Sequence, residues 1–94
     1  MVETKQEIIM NWQTKTYEEL TKEELYALLQ MRAEIFIVEQ DCVYQDLDYN
    51  DQRCTFLMGY DEGRLVASMR VVPLGVESET EGSIGRIVVD KEYR

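Results

Sequence analysis

Chemistry in this chain has to be built from carboxylates, guanidiniums, phenols and two thiols, because its 94 residues include no histidine. That excludes Ser-His and Cys-His nucleophiles within the chain, and every histidine-based metal site. Glu39 follows a helical-spaced apolar run and faces an acidic segment. A carboxylate there can accept a proton, directly or through water; its commoner role is a cap or salt-bridge partner. Arg32 lies four residues after Leu28 and seven after Leu25, so it falls on the apolar side of the same run. A charge on that side needs a partner. Either Glu39 or an aspartate supplies a structural ion pair, or Arg32 stands beside a bound ligand. Asp46, Asp48 and Asp51 form the acidic segment. They do not make a calcium loop, since Asp51 stands where an EF-hand needs glycine and Leu57 where it needs the bidentate glutamate. Asx-turns account for them structurally, and binding an ammonium group is the functional alternative. Tyr44 and Tyr49 sit in this segment and can line a site; the other tyrosines read as packing residues and Trp12 as a core residue. Cys42 and Cys54 have only Arg53 as a basic neighbour and read as inert free thiols.

The elements that must position these groups are visible in the patterning. Ile8–Lys15 reads as a first strand, apolar early and alternating later. Thr21 with Glu24 three residues on forms a capping box, and Leu25, Leu28, Leu29, Ile35 and Phe36 recur at helical spacing. The helix is expected to end near Ile37 or Val38. Residues 39–53 read as a loop with a short helix around Tyr44 to Leu47. Thr55–Tyr60 and Leu65–Val72 are two strands joined by Asp61-Glu62-Gly63-Arg64, where Gly63 supplies a positive φ. Pro73 stops the second of them, and Ile84–Val89 is the last strand. The order β-α-(α)-β-β-β predicts an α+β fold with a mainly antiparallel sheet.

Composition bounds the rest. Length allows one domain. Hydrophobic residues make up 45% and the formal net charge is −9, a globular composition with an acidic surface. This argues against nucleic acid and anionic membranes as partners. An acidic surface can attract a cationic substrate, though solubility explains it as well. No apolar run approaches the roughly 18 residues of a membrane span, and the polar start Met1–Glu7 does not read as a signal peptide. The expected location is the cytoplasm.

Four local sequences carry a family resemblance: Leu25-Tyr26-Ala27-Leu28-Leu29-Gln30-Met31-Arg32, Ile35-Phe36-Ile37-Val38-Glu39-Gln40, Tyr44-Gln45-Asp46-Leu47-Asp48 and Ile84-Gly85-Arg86-Ile87-Val88-Val89. Together they resemble the GNAT N-acyltransferases, ElaA-like group, over nearly the whole chain. The resemblance implies the N-terminal half of a GNAT fold and transfer of an acetyl group from acetyl-CoA to an amine. It implies that backbone groups of Ile87, Val88 and Val89 hold the pantetheine arm and polarise the thioester carbonyl. Arg94 fits the first position of the family's pyrophosphate-binding loop, so residues 1–94 are expected to form a single partial domain ending before that loop. Such a piece is expected to bind acetyl-CoA weakly or not at all and to be inactive alone. Glu39 is the best catalytic candidate, with Arg32, Tyr44, Asp48 and Tyr49 on the substrate side and no metal. Related ElaA-like sequences carry glycine where this chain has Tyr49, and a histidine entering the second strand where it has Arg53-Cys54-Thr55-Phe56. A different class of function is a non-catalytic assembly half-domain: the last strand, apolar on both faces, would pair with a second copy or a complementary C-terminal half. An enzyme similar to the acyl-homoserine-lactone synthases is a more distant alternative.

Overall fold

A computed structural model describes residues 10–94. The chain forms strand β1 (Asn11–Thr16), helix α1 (Lys22–Ala33), and strands β2 (Thr55–Asp61), β3 (Arg64–Val72) and β4 (Ser83–Val89). The four strands make one antiparallel sheet in the order β1-β2-β3-β4. The α+β arrangement is thus the one the patterning predicts. Ile8 and Ile9, assigned to the first strand, and the Met1–Glu7 segment lie outside the described residues.

Helix α1 starts where its cap dictates. Thr21 Oγ1 accepts from the Glu24 N–H at 3.1 Å and Glu24 Oε1 accepts from the Thr21 N–H at 2.9 Å, so two orphan donors are satisfied reciprocally. Glu24 also binds Lys15 at 2.7 Å, tying the helix start to β1. After Ala33 the helix widens: the Gln40 N–H reaches the Ile35 carbonyl and the Cys42 N–H reaches that of Ile37, both i to i−5. This π-helical stretch, Glu34–Glu39, carries the chain slightly past the expected end. Insertions of this kind re-aim the side chains that follow.

One face of the sheet packs on α1. Leu28, Phe56, Met58, Val72 and Cys54 form one buried cluster, and Met31, Ile35 and Val88 another. Glu62 and Gly63 have φ of 49° and 82°, the two positive values of a tight hairpin turn whose twist matches its strands. Pro73, without an N–H, follows the last residue of β3.

Two expectations fail. No helix forms over Tyr44–Leu47; the short helical turn lies at Asp51–Arg53 instead. Gln45 Oε1 accepts from the Leu47 N–H and Asp48 Oδ1 from the Asn50 N–H. These local bonds compete with a helix for the backbone donors. Trp12, expected in the core, is 52% exposed. It sits on edge strand β1 opposite Gly59. A Cβ on Gly59 would come within 2.6 Å of the Trp12 ring, so the glycine makes room for the indole to lie across the sheet. Among the described residues no helix is long and apolar enough to cross a membrane.

Candidate functional site

The charged groups separate into a buried cluster and a more open cleft. In the cluster, three guanidiniums meet three aspartates, and at its exposed edge Glu77 Oε1 accepts from Arg70 Nη2 at 3.3 Å. Arg32, on the inward face of α1, is 1% exposed. Its Nε donates to Asp46 Oδ2 at 2.9 Å and its Nη1 to Asp51 Oδ1 at 2.8 Å. Arg70 projects from β3 and binds both oxygens of Asp48 at 2.9 Å, a two-pronged contact; its Nη1 also reaches Asp51 Oδ1 at 3.1 Å. Arg86 comes from β4: Nε donates to Asp46 Oδ1 at 2.7 Å and Nη2 to the Asp46 carbonyl at 2.9 Å. Tyr44 Oη donates to Asp46 Oδ1 at 3.2 Å. The structural ion pair expected of Arg32 is therefore present, with two aspartates of the acidic loop.

Each charge is held by its neighbours. Asp48 is lowered to about 2, chiefly by the Arg70 hydrogen bond, against an opposing effect of burial. Burial works against the charge of Arg32, yet its bonds to Asp51 and Asp46 prevail and raise its pKa. Arg70 is raised on the same balance. The Tyr44 phenol is pushed up by burial and by the Asp46 charge. Arg70 Nε is buried without a partner among the described groups.

The cluster reaches β4 at an irregular point. Ser68 pairs with Val88 and Arg70 with Gly85, so Arg86 and Ile87 together face Met69 alone. This is a β-bulge. Arg86 has φ 49°, a left-handed conformation that costs a non-glycine residue roughly 1–2 kcal/mol. Its guanidinium is fixed on Asp46, and that anchor holds the bulge.

The second region lies beside the bulge, where the π-helical stretch meets β4. An open cleft of about 430 Å³ is lined by Ile35, Glu39, Ile87, Val88, Val89 and Arg94. Arg94 Nη2 donates to Glu39 Oε1 at 2.8 Å and its Nε to the Val89 carbonyl at 2.7 Å. Glu39 is thus a salt-bridge partner in this structure, and it also lines the cleft. β4 is an edge strand, and among the described residues its outer backbone groups have no strand partner.

The structure therefore brings Glu39, Ile87, Val88, Val89 and Arg94 into one cleft, and places Arg32, Asp48 and Tyr44 in the buried cluster. Tyr49 joins neither: it is 87% exposed with φ 63° and lines a separate cavity with Leu25 and Leu29. Sequence reasoning missed Arg70 and Arg86. The available signal was a guanidinium inside each of two apolar strand runs, the pattern that singled out Arg32. Cys42 and Cys54 are both free thiols.

Several known proteins are similar to this chain. The family model described as Acetyltransferase (GNAT) matches residues 7–94. Protein ElaA of Escherichia coli (strain K12) is 36% identical over 88 residues, which are 92% of this chain and 57% of ElaA. Its crystal structure superposes with a TM-score of 0.85. An acyl-CoA N-acyltransferase from Pseudomonas aeruginosa is 40% identical with a TM-score of 0.85, covering 92% of this chain and 60% of that one. The AHL synthase LasI shares the fold, with a TM-score of 0.70 at 17% identity over 90% of this chain and 55% of its own. The chain spans a little over half the length of the curated ElaA relatives it matches.

Proposed function

The chain belongs to the acetyltransferase (GNAT) family, and on that premise we propose that it supplies part of an ElaA-like N-acyltransferase acting on an amine. The carrying observation is the cleft in which Glu39, the edge backbone of Ile87–Val89 and Arg94 converge. The cleft suits an acyl-CoA: an edge strand offers backbone groups without a strand partner, and Arg94 offers a cation for phosphate. Acetyl-CoA would supply the acyl group as a thioester. On this reading, N–H groups of the Ile87–Val89 edge orient that carbonyl and stabilise charge developing on its oxygen, with no reorganisation because the bulge fixes them in advance. Glu39 accepts the proton from the attacking amine, the C–N bond forms as the thioester C–S bond breaks, and coenzyme A would leave as its thiolate. Arg94, which Glu39 holds in this structure, turns to the phosphates. Arg32, Asp48 and Tyr44 keep the acidic loop beside the acceptor side.

The test is a titration of the ¹⁵N-labelled chain with acetyl-CoA, followed by amide shifts. Shifts centred on Glu39, Ile87, Val88, Val89 and Arg94, weakened by Arg94→Ala, support the reading. Shifts elsewhere, or none at about 10 mM ligand, overturn it. The affinity of this chain by itself is expected to be weak, so micromolar binding would contradict that part.

A second reading rests on the same edge. Ile84 and Ile87 are each 60% exposed on β4, and an apolar edge strand is a template for pairing. On this reading the chain is a half-domain that pairs with a second copy or a complementary half. Sedimentation that shows only monomer at all concentrations removes self-pairing.

A further inference from the structure

The cavity on the other side of α1 has no part in acyl transfer as proposed above. About 360 Å³ in volume, it is a half-open cavity between α1 and residues 45–52, within the range of small-molecule sites. Leu25 and Leu29 form its inner wall and Leu47 its outer rim. Two features of its polar side are unusual. Tyr49, at the mouth, holds a left-handed backbone with φ 63°. Such a conformation favours glycine and costs a tyrosine roughly 1–2 kcal/mol, yet the residue is 87% exposed and gains little by packing. Asp51, on the wall, is only 6% exposed. Arg32 and Arg70 both bind its Oδ1, and no described group donates to Oδ2. Asp51 thus lines the cavity with one carboxylate oxygen that keeps spare acceptor capacity.

The geometry points to this cavity as a second binding site, for a small amphipathic molecule with an aromatic or branched hydrocarbon body and a neutral N–H or O–H head. The body fills the space between Leu25, Leu29 and Leu47, and Tyr49 covers it. The head donates to Asp51 Oδ2. Arg32, Arg70 and Arg86 together match the three aspartates in charge, so an ammonium head gains little over a neutral donor and costs more to take out of water, and a carboxylate head meets an acceptor where it needs a donor. Leu29 precedes Glu39 by ten residues, roughly 15 Å along a helical path, which separates this site from the acyl cleft.

Three probes sharing one body decide the matter: phenylacetamide, phenethylammonium and phenylacetate. Each is titrated into the methyl-labelled chain. Phenylacetamide is expected to shift the Leu25, Leu29 and Leu47 methyls saturably at millimolar concentration, about tenfold more tightly than either charged probe. Leu47→Asp, at the exposed rim, is expected to cut that affinity at least about fivefold, with the Leu28 and Val88 methyl signals unchanged as proof of folding. Tyr49→Gly is expected to weaken binding while raising thermal stability. No saturable shift up to about 20 mM phenylacetamide, or any order in which the amide does not bind best, overturns the proposal. Acetyl-CoA serves as an independent probe: it should leave the Leu25 and Leu29 methyls unshifted, whether or not it binds at β4, and displacement of phenylacetamide by it overturns the separateness of the sites.

Discussion

The Arg–Asp cluster and the Glu39–Arg94 cleft use the same side-chain chemistry to opposite ends. In the cluster Arg32, Asp46 and Asp51 are all nearly dry, and each carboxylate answers more than one donor. In the cleft a single pair, Glu39 with Arg94, stands half in water. A buried network in which each aspartate answers several donors fixes the loop and the strand bound to it. An exposed pair can exchange partners at little cost. The difference suggests a division of labour: the cluster shapes β4 through Arg86, and the cleft meets the ligand.

The strongest way to break that division is to remove a cluster charge. Arg32→Ala leaves Asp46 and Asp51 each without one of its buried partners. The expected loss is about 3–5 kcal/mol, a large share of a small domain's stability of about 5–15 kcal/mol. Urea unfolding followed by circular dichroism measures it. A loss below about 1 kcal/mol, the value of an exposed pair, would make the cluster equivalent to the cleft and end the comparison.

Acid probes the same network without mutation. The carboxyl of Asp48 is lowered from 3.8 to about 2 by Arg70. A depressed carboxyl stabilises the fold above its unfolded pKa and loses that contribution as pH falls through the folded value. Stability contributed by Asp48, on the order of 2 kcal/mol, should therefore be intact above pH about 4 and lost towards pH about 2. Asp48→Asn should flatten the stability profile across this window. An unchanged slope in the variant would mean that another group carries the acid sensitivity.

How much of this was legible depends on the range of the interaction. The Thr21–Glu24 box, the Gly63 turn and the stop at Pro73 are local, and each is readable from a few adjacent residues. Arg32 was legible as a buried charge in need of a carboxylate because helical spacing puts it beside Leu28. Its choice of Asp46 and Asp51 over Glu39 was not, since that depends on how the loop folds back. Arg86 pairs with Asp46 across forty positions, a contact made by the sheet and invisible to local patterning. The helix expected at Tyr44–Leu47 failed for the same reason: tertiary partners and Asx-type bonds took the groups a helix would use. Trp12 misled because its size suggested burial, while its place on an edge strand over Gly59 left it half open.

The bulge offers a finer test of which part is strained. Arg86→Ala and Arg86→Gly remove the same guanidinium, but only alanine keeps a Cβ at φ 49°. The glycine variant should be more stable by about 1 kcal/mol, read as a difference in urea midpoint at constant slope. Equal stabilities would mean that the left-handed turn does not survive loss of the Asp46 anchor, and that the anchor shapes the bulge rather than merely holding it.

The smallest expected effect is at Glu39. Glu39→Gln removes the charge facing Arg94 in a pair whose side chains are 29% and 45% exposed. The stability change should stay below about 1 kcal/mol, and in about 1 M salt, where the screening length is about 3 Å, it should shrink further. The substitution also frees Arg94 from its carboxylate, so acetyl-CoA binding should hold steady or tighten even as Glu39 loses its capacity to take a proton. That split is what distinguishes a reactive cleft from a scaffold. A carboxylate that only braces the chain would lose stability and binding together. One that serves the proposed chemistry would lose neither.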